Sequence, residues 1–372
     1  MKRFLIALFL FLLVPVSAAG QSINLNDYNE SVSSYDLSFF EDTLSGDTYE
    51  YLEKLGLDGF SFENIYSLSL DEVKNIIISI LKDKLKTPFE GIAAVLVFIV
   101  LSSFFQSLNS EGDEMSELYS TVSALVISAV LIIKISPAVS IASMSIGVSA
   151  DFIYAFVPVF CAIVAASGEI TVSFSTNATL LVLSQGLSFL SSNIFMPVIN
   201  SFLALGICSS LRPQLGLSRL TDTLRRIITS ALSFVAGAYV SVLSIKTAAS
   251  ARIDMLGLRS LRFVISSVVP VVGGALSEGL VSIQTYSSLV KSSVGIVGII
   301  AVALVFLPPL AETVIWRLML SLCTVISDIF EDKAVSAVLK AFSGAMLILN
   351  VLLIISALTT IVSIGILVAA GS

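Results

Sequence analysis

The chain has 372 residues, 56% hydrophobic and only 13% charged, with no histidine and a net charge of −7. Soluble domains carry about 25% charged residues, so a water-covered surface is excluded and a membrane protein is expected. The missing histidine excludes Ser-His-Asp triads and HExxH zinc sites, and the acidic balance argues against a nucleic-acid surface.

Lys2 and Arg3 precede an apolar stretch from Phe4 to Val16, and the small residues Ser17, Ala18 and Ala19 follow it. This is the pattern of a cleavable signal peptide over 1–19. The alternative, an uncleaved anchor, leaves the next segment on the same side, so residues about 20–88 are expected to be extracytoplasmic. From Gly20 to Glu90 there are 14 acidic and 5 basic residues, a local charge of −9. Asn24 to Ser45 shows no clear period and reads as loop or a partly ordered arm, whereas Tyr49 to Leu57 suggests a short helix. Ser69 and Glu72 form a capping-box pattern, and Leu70, Val73, Ile76, Ile77, Ile80 and Leu81 recur at helical spacing. The expectation is an amphipathic helix of about 70–86, with Lys82, Lys84 and Lys86 in its last turn and Pro88 ending it. Its apolar stripe has three candidate partners: the short helix, the membrane surface, or another protein.

Residues 89–372 read as a polytopic membrane region, because apolar runs there reach the length that a hydrocarbon core of about 30 Å demands. Spans are predicted near 91–108, 118–136, 150–168, 174–191, 193–211, 263–283, 291–308, 310–328 and 341–369. Asn193 and Pro197 mark either a break between two spans or a kink in one. The stretches 211–226 and 246–262 each carry four basic residues against one acidic, which places both in the cytoplasm. A re-entrant hairpin around Ala236-Gly237-Ala238 would reconcile that with the apolar run between them; the alternative is an ordinary span with one basic loop outside. Lys82, Lys84 and Lys86 stand on the outer side of the first span against the charge rule, and the signal peptide takes precedence there.

The heptapeptides at 153–159 (IYAFVPV) and 265–271 (ISSVVPV) are displaced by 112 residues, and the same displacement carries Pro197 onto Pro309. Two diverged repeats, about 145–250 and 257–372, are expected, as in many transporters; chance similarity is the rival. Ionisable residues at membrane depth are functional candidates by default. Lys134 reads as a snorkelling end residue, and Asp151 and Glu169 as interfacial. The candidates are Glu278, inside Gly273-Gly274-Ala275-Leu276-Ser277-Glu278-Gly279 where small residues allow close helix approach, and Glu312 with Arg317, either a buried pair or solvated at a helix end. Pro270, Gly273 and Gly274 are the candidate packing positions. Cys161, Cys208 and Cys323 lack CxxC partners and read as small buried packing residues. No catalytic, cofactor-binding or metal-binding residue is expected.

The stretch Leu261 to Ile300, LRFVISSVVPVVGGALSEGLVSIQTYSSLVKSSVGIVGII, resembles the stage III sporulation protein AE family of endospore-forming bacteria. The similar positions are Phe263, Val269 to Gly273, Leu289 with Lys291, and Val294 to Gly298. The resemblance implies a non-enzymatic, membrane-embedded subunit of the channel or secretion-like complex between mother cell and forespore. It implies a place in the outer forespore membrane on the mother-cell side. The implied partners are other membrane proteins, ring-forming proteins and a secretion-type ATPase. The alternative is a self-sufficient secondary transporter, supported by the repeats and Glu278. No GxGD, HExxH or Walker lysine pattern is present, so an enzyme is not expected and any ATP-derived energy would come from another chain.

Overall fold

The computed structural model describes residues 25–57, 64–65, 68, 70–107, 114–166, 170–211, 217–268 and 273–369, with side chains from 246 to 286 and at several helix ends left aside. Among these residues the fold is all helical. Three short helices, α1 (Leu25–Ser33), α2 (Phe39–Thr43) and α3 (Gly46–Lys54), are followed by long rods. These are α4 (Leu70–Ser107), α5 (Glu114–Ala166), α6 (Ile170–Leu190), α7 (Met196–Leu211), α8 (Leu217–Val268), α9 (Gly273–Ile329) and α10 (Lys333–Ala369). Five stretches are long and apolar enough to cross a membrane: Asp71–Phe105, Leu118–Ala166, Thr179–Ser209, Ser287–Ile329 and Lys333–Gly365. The protein is a polytopic membrane protein. The signal-peptide expectation falls outside the described residues.

The nine predicted spans therefore reduce to fewer, longer rods. Spans 118–136 and 150–168 are one helix, α5, and spans 291–308 and 310–328 are another, α9. Pro137, Pro158, Pro308 and Pro309 sit inside these helices without ending them, because packed neighbours can compensate the one hydrogen bond each proline removes. Pro88 likewise does not stop α4; Ile80, Ile92, Val95 and Ile99 are buried on both sides of it and hold the helix on one face. Between α6 and α7 the chain makes a π-turn, Ser191–Phe195. Pro197 offers no N–H to the preceding turn, and the side chains of Ser191 and Asn193 bond back to the carbonyls of Leu187 and Phe189 at 2.8 and 3.1 Å. A wide turn inside a continuous rod follows.

The re-entrant hairpin is absent. Ala236 to Ala238 lie within α8, whose buried Ile228, Leu232 and Tyr239 share one face. The Tyr239 hydroxyl meets Ser363 of α10 at 3.0 Å. Both basic stretches are largely helical, in the two ends of a helix about 78 Å long at 1.5 Å per residue, so they need not share a loop. Of the predicted span 263–283, α8 covers the part to Val268 and α9 the part from Gly273, and residues 269–272 lie outside the described residues.

The arm predicted over Asn24 to Ser45 is ordered as α1 and α2, which pack against α9 and α5. Phe39 and Phe40 supply the reason: their rings lie 5.3–6.2 Å from those of Phe152 and Phe156. Phe152, Phe156 and Phe160 stack along α5 at one-turn spacing, with ring centroids 5.3 and 4.9 Å apart. Tyr28, Leu52 and Leu57 are fully buried in the same core.

The α9–α10 pair is the most extensively packed, and α10 also touches α5, α7 and α8. Small residues permit this closeness: a Cβ on Gly206 of α7 would fall 2.3 Å from the Cβ of Ala341, and one on Gly91 of α4 would fall 2.4 Å from Trp316 of α9. Two charged levels bracket α4, α5 and α9. At one, the hydroxyls of Ser102 and Ser120 donate to the Asp332 carboxylate at 2.6 and 2.5 Å. At the other, Lys134 approaches Glu90 at 3.9 Å, and Asp83 and Lys84 share a pocket with Pro308 and Pro309, one turn before Glu312. By helix rise Ser102 lies about 18 Å from Glu90 and about 27 Å from Lys84, Ser120 about 21 Å from Lys134, and Asp332 about 30 Å from Glu312. Between the levels the outward surface is apolar: Val97, Val100 and Leu101 on α4, Val122 and Ile133 on α5, Leu318 and Leu322 on α9.

Candidate functional site: a basic cavity among the C-terminal helices

The polar residues of α9 and α10 are not scattered. Arg317, Ser321, Thr324 and Asp328 recur at i, i+4, i+7 and i+11, and Lys333, Ser336, Lys340 and Ser343 at i, i+3, i+7 and i+10, so each set forms one stripe. The α9–α10 turn brings the stripes face to face. With Thr221, Asp222 and Arg225 of α8 and Gly206 and Ser209 of α7 they line an open cavity of about 580 Å³. Four cations, Arg225, Arg317, Lys333 and Lys340, stand against two carboxylates, Asp222 and Asp328, among the described lining residues. Arg225 bonds Asp222 at 3.1 Å and Lys340 bonds Asp328 at 3.3 Å; Ser336 also donates to Asp328. Ser321 and Ser343 meet across the cavity at 3.4 Å. The walls thus offer hydroxyl donors and a net charge of two positive units, which suits an anionic oxygen cluster.

Asp332 fixes the α9–α10 turn, one residue before Lys333 of the cavity wall. It is 2% exposed, accepts from Ser102 of α4 and Ser120 of α5, and also takes the backbone N–H of Val335 at 3.2 Å as the N-cap of α10. Glu331, one residue earlier, turns the chain with φ 58°. Deeper in the pair, Thr313 donates to Asn350 at 3.0 Å, and Asn350 donates to the Met346 carbonyl.

Of the sequence candidates, Arg317 lines the cavity. Glu312 is buried and does not line the cavity; it follows by one turn Pro308 and Pro309, which share another pocket with Asp83 and Lys84 of α4. Five residues apart on one helix means about 140° of rotation, so the two do not form the predicted alternative of a buried pair. Glu278, Gly273 and Gly274 belong to α9 but their surroundings lie outside the description, as does Pro270 altogether. Cys161 and Cys323 are buried, as expected, whereas Cys208 is exposed. Sequence reasoning took Asp222 and Arg225 for loop charges and did not single out Asp328, Lys333 or Lys340 as site residues. The readable signal was the helical spacing of 317, 321, 324 and 328.

The profile of the family described as stage III sporulation protein AE matches residues 58–371. A curated protein of that name from Bacillus subtilis (strain 168) is 24% identical over 276 residues, covering 74% of this chain and 69% of its own length. No solved structure matches.

Proposed function

Because this chain belongs to the stage III sporulation protein AE family, and so has a role in sporulation, we propose that it is the membrane-embedded subunit of the channel or secretion-like complex between mother cell and forespore. The observation that carries this is the reach of the family match, which runs through every long rod from α4 to α10. In this reading the protein sits in the outer forespore membrane on the mother-cell side, and its ring-forming and ATPase partners supply the docking and the energy. The apolar outward band between the two charged levels, about 18–30 Å by helix rise according to the pair compared, is where lipid would surround the rods. Helices α1 to α3 then dock beyond it, on the side of Lys84 and Lys134. The basic cavity supports the rival, a self-sufficient transporter.

Deletion in a sporulating cell tests the first reading. Small forespores and lost late forespore gene activity are expected, and normal spores would overturn it. Flux through liposomes holding the purified protein alone would favour the transporter; copurification with other membrane and ring-forming proteins would favour the complex.

A further inference from the structure

The two stripes that face each other across the cavity both continue past its floor. On α9 the next step beyond Ser321 and Arg317 is Thr313, and on α10 the next beyond Ser343 and Leu347 is Asn350. There they meet: both residues are buried, and Thr313 donates to Asn350 at 3.0 Å. The same ridge of α9 goes on to Pro309, which lines a second open cavity, of about 240 Å³, among α3, α4, α5 and α9. Thr48, Lys84 and Ser145 give this second cavity a polar wall. The first cavity thus reaches from the Asp332 turn to Arg317, the second lies at the level of Lys84, and about 12 Å of α9 separates Pro309 from Arg317. Of the ridge residues 305, 309, 313, 317 and 321, Thr313 alone lines neither cavity.

We propose that the Thr313–Asn350 pair is the closed gate of a path for water and small hydrated ions between the two cavities, with Pro308-Pro309 as its hinge. The inference deepens the channel reading and rests on its premise that the rods cross the membrane. Volume sets the cargo: at about 30 Å³ per water, both cavities hold a small hydrated ion and neither holds a folded chain. Hydroxyls and charges of both signs line them, which suits species that keep their water. The gate bond is built to exchange. The Thr313 hydroxyl also reaches the Pro309 carbonyl at 2.7 Å, so releasing Asn350 strands no donor, and water from the first cavity can take over the amide oxygen. One turn away, two adjacent prolines offer no N–H to the carbonyls of Leu304 and Val305. Helices bend at such points, and a bend there shifts Thr313 against Asn350.

The test is the conductance of the full-length chain, purified in detergent and fused into a planar bilayer bathed in potassium chloride. The parent should rest closed. Asn350→Ala and, separately, Thr313→Ala should each raise the open fraction about tenfold, the shift that loss of one buried hydrogen bond gives an open–closed equilibrium. Elution as a single species at the parent's volume qualifies a variant, and one qualified variant suffices. Ser321→Cys in the first cavity and Ser145→Cys in the second, each with Cys208→Ser to remove the exposed thiol, locate the current. An impermeant thiol reagent should block it from the Asp332 side through the first cysteine and from the opposite side through the second. A bilayer that stays insulating with a qualified variant means that the pair only glues two helices, and overturns the proposal. So does a parent as conductive as the variants, or a current that neither cysteine can block. The deletion phenotype is read separately in the cell, so failure of the channel reading and failure of this gate are told apart.

Discussion

Asp332 is the residue on which the most elements converge. Its carboxylate accepts from Ser102, Ser120 and the Val335 amide, tying three helix ends to one turn. Replacing it by alanine removes an N-cap, worth about 1 kcal/mol, and strands two hydroxyls in a buried setting. Asp332→Ala should therefore lose at least about 2 kcal/mol, read as a fall in melting temperature in detergent, while Ser102→Ala alone should lose less. An Asp332→Ala protein as stable as the parent would show that the knot contributes nothing. The sequence reading did not single out this aspartate. Its signal was only its place before an apolar run, and the two serines are 212 and 230 residues away, so no local pattern could connect them. Arg317 was legible as a charge inside an apolar segment, but its companions were not, because a stripe becomes a cavity only when a second helix faces it.

At the scale of elements, the apolar periodicity identified helices well and their ends poorly. Breaks were placed at Pro88, between 136 and 150, and at the Pro308-Pro309 pair, yet α4, α5 and α9 run through all of them. Proline is a weak stop where tertiary packing supports both sides, and span counting by bilayer thickness divides any rod longer than about 20 residues. The close α7–α10 crossing gives a sharp prediction. Gly206→Ala puts a methyl against Ala341, which cannot swing aside, so it should cost about 1–3 kcal/mol, and the compensating Ala341→Gly should recover most of the loss; failure of that rescue would place the strain elsewhere. For α8, cysteines introduced at Thr229 and Ser244 stand about 22 Å apart along one axis. Labelling by an impermeant reagent should reach them unequally from a given side, and equal labelling from one side alone would restore the hairpin.

At the scale of the whole molecule, the N-terminal helices α1 to α3 are part of the core and not a loose arm. Its aromatic contacts could not be read from sequence because Phe39 and Phe40 find Phe152 and Phe156 more than a hundred residues on. Phe40 is 3% exposed, so Phe40→Ala should loosen the docking by about 3 kcal/mol. Limited proteolysis is then expected to cut between residues 33 and 57 while the long rods stay intact. Unchanged resistance would mean that α1 to α3 are held by something other than this aromatic seat.

Trp316 is the chain's single tryptophan. It is fully buried against the Gly91 turn of α4, and its indole nitrogen has no hydrogen-bond partner. Every photon of indole emission from this polypeptide thus originates at one seam, next to Arg317 and at the level of Glu90 and Lys134. Without any label attached, its wavelength and its quenching by brominated acyl chains would register whether that seam stays dry or parts when the protein is at work.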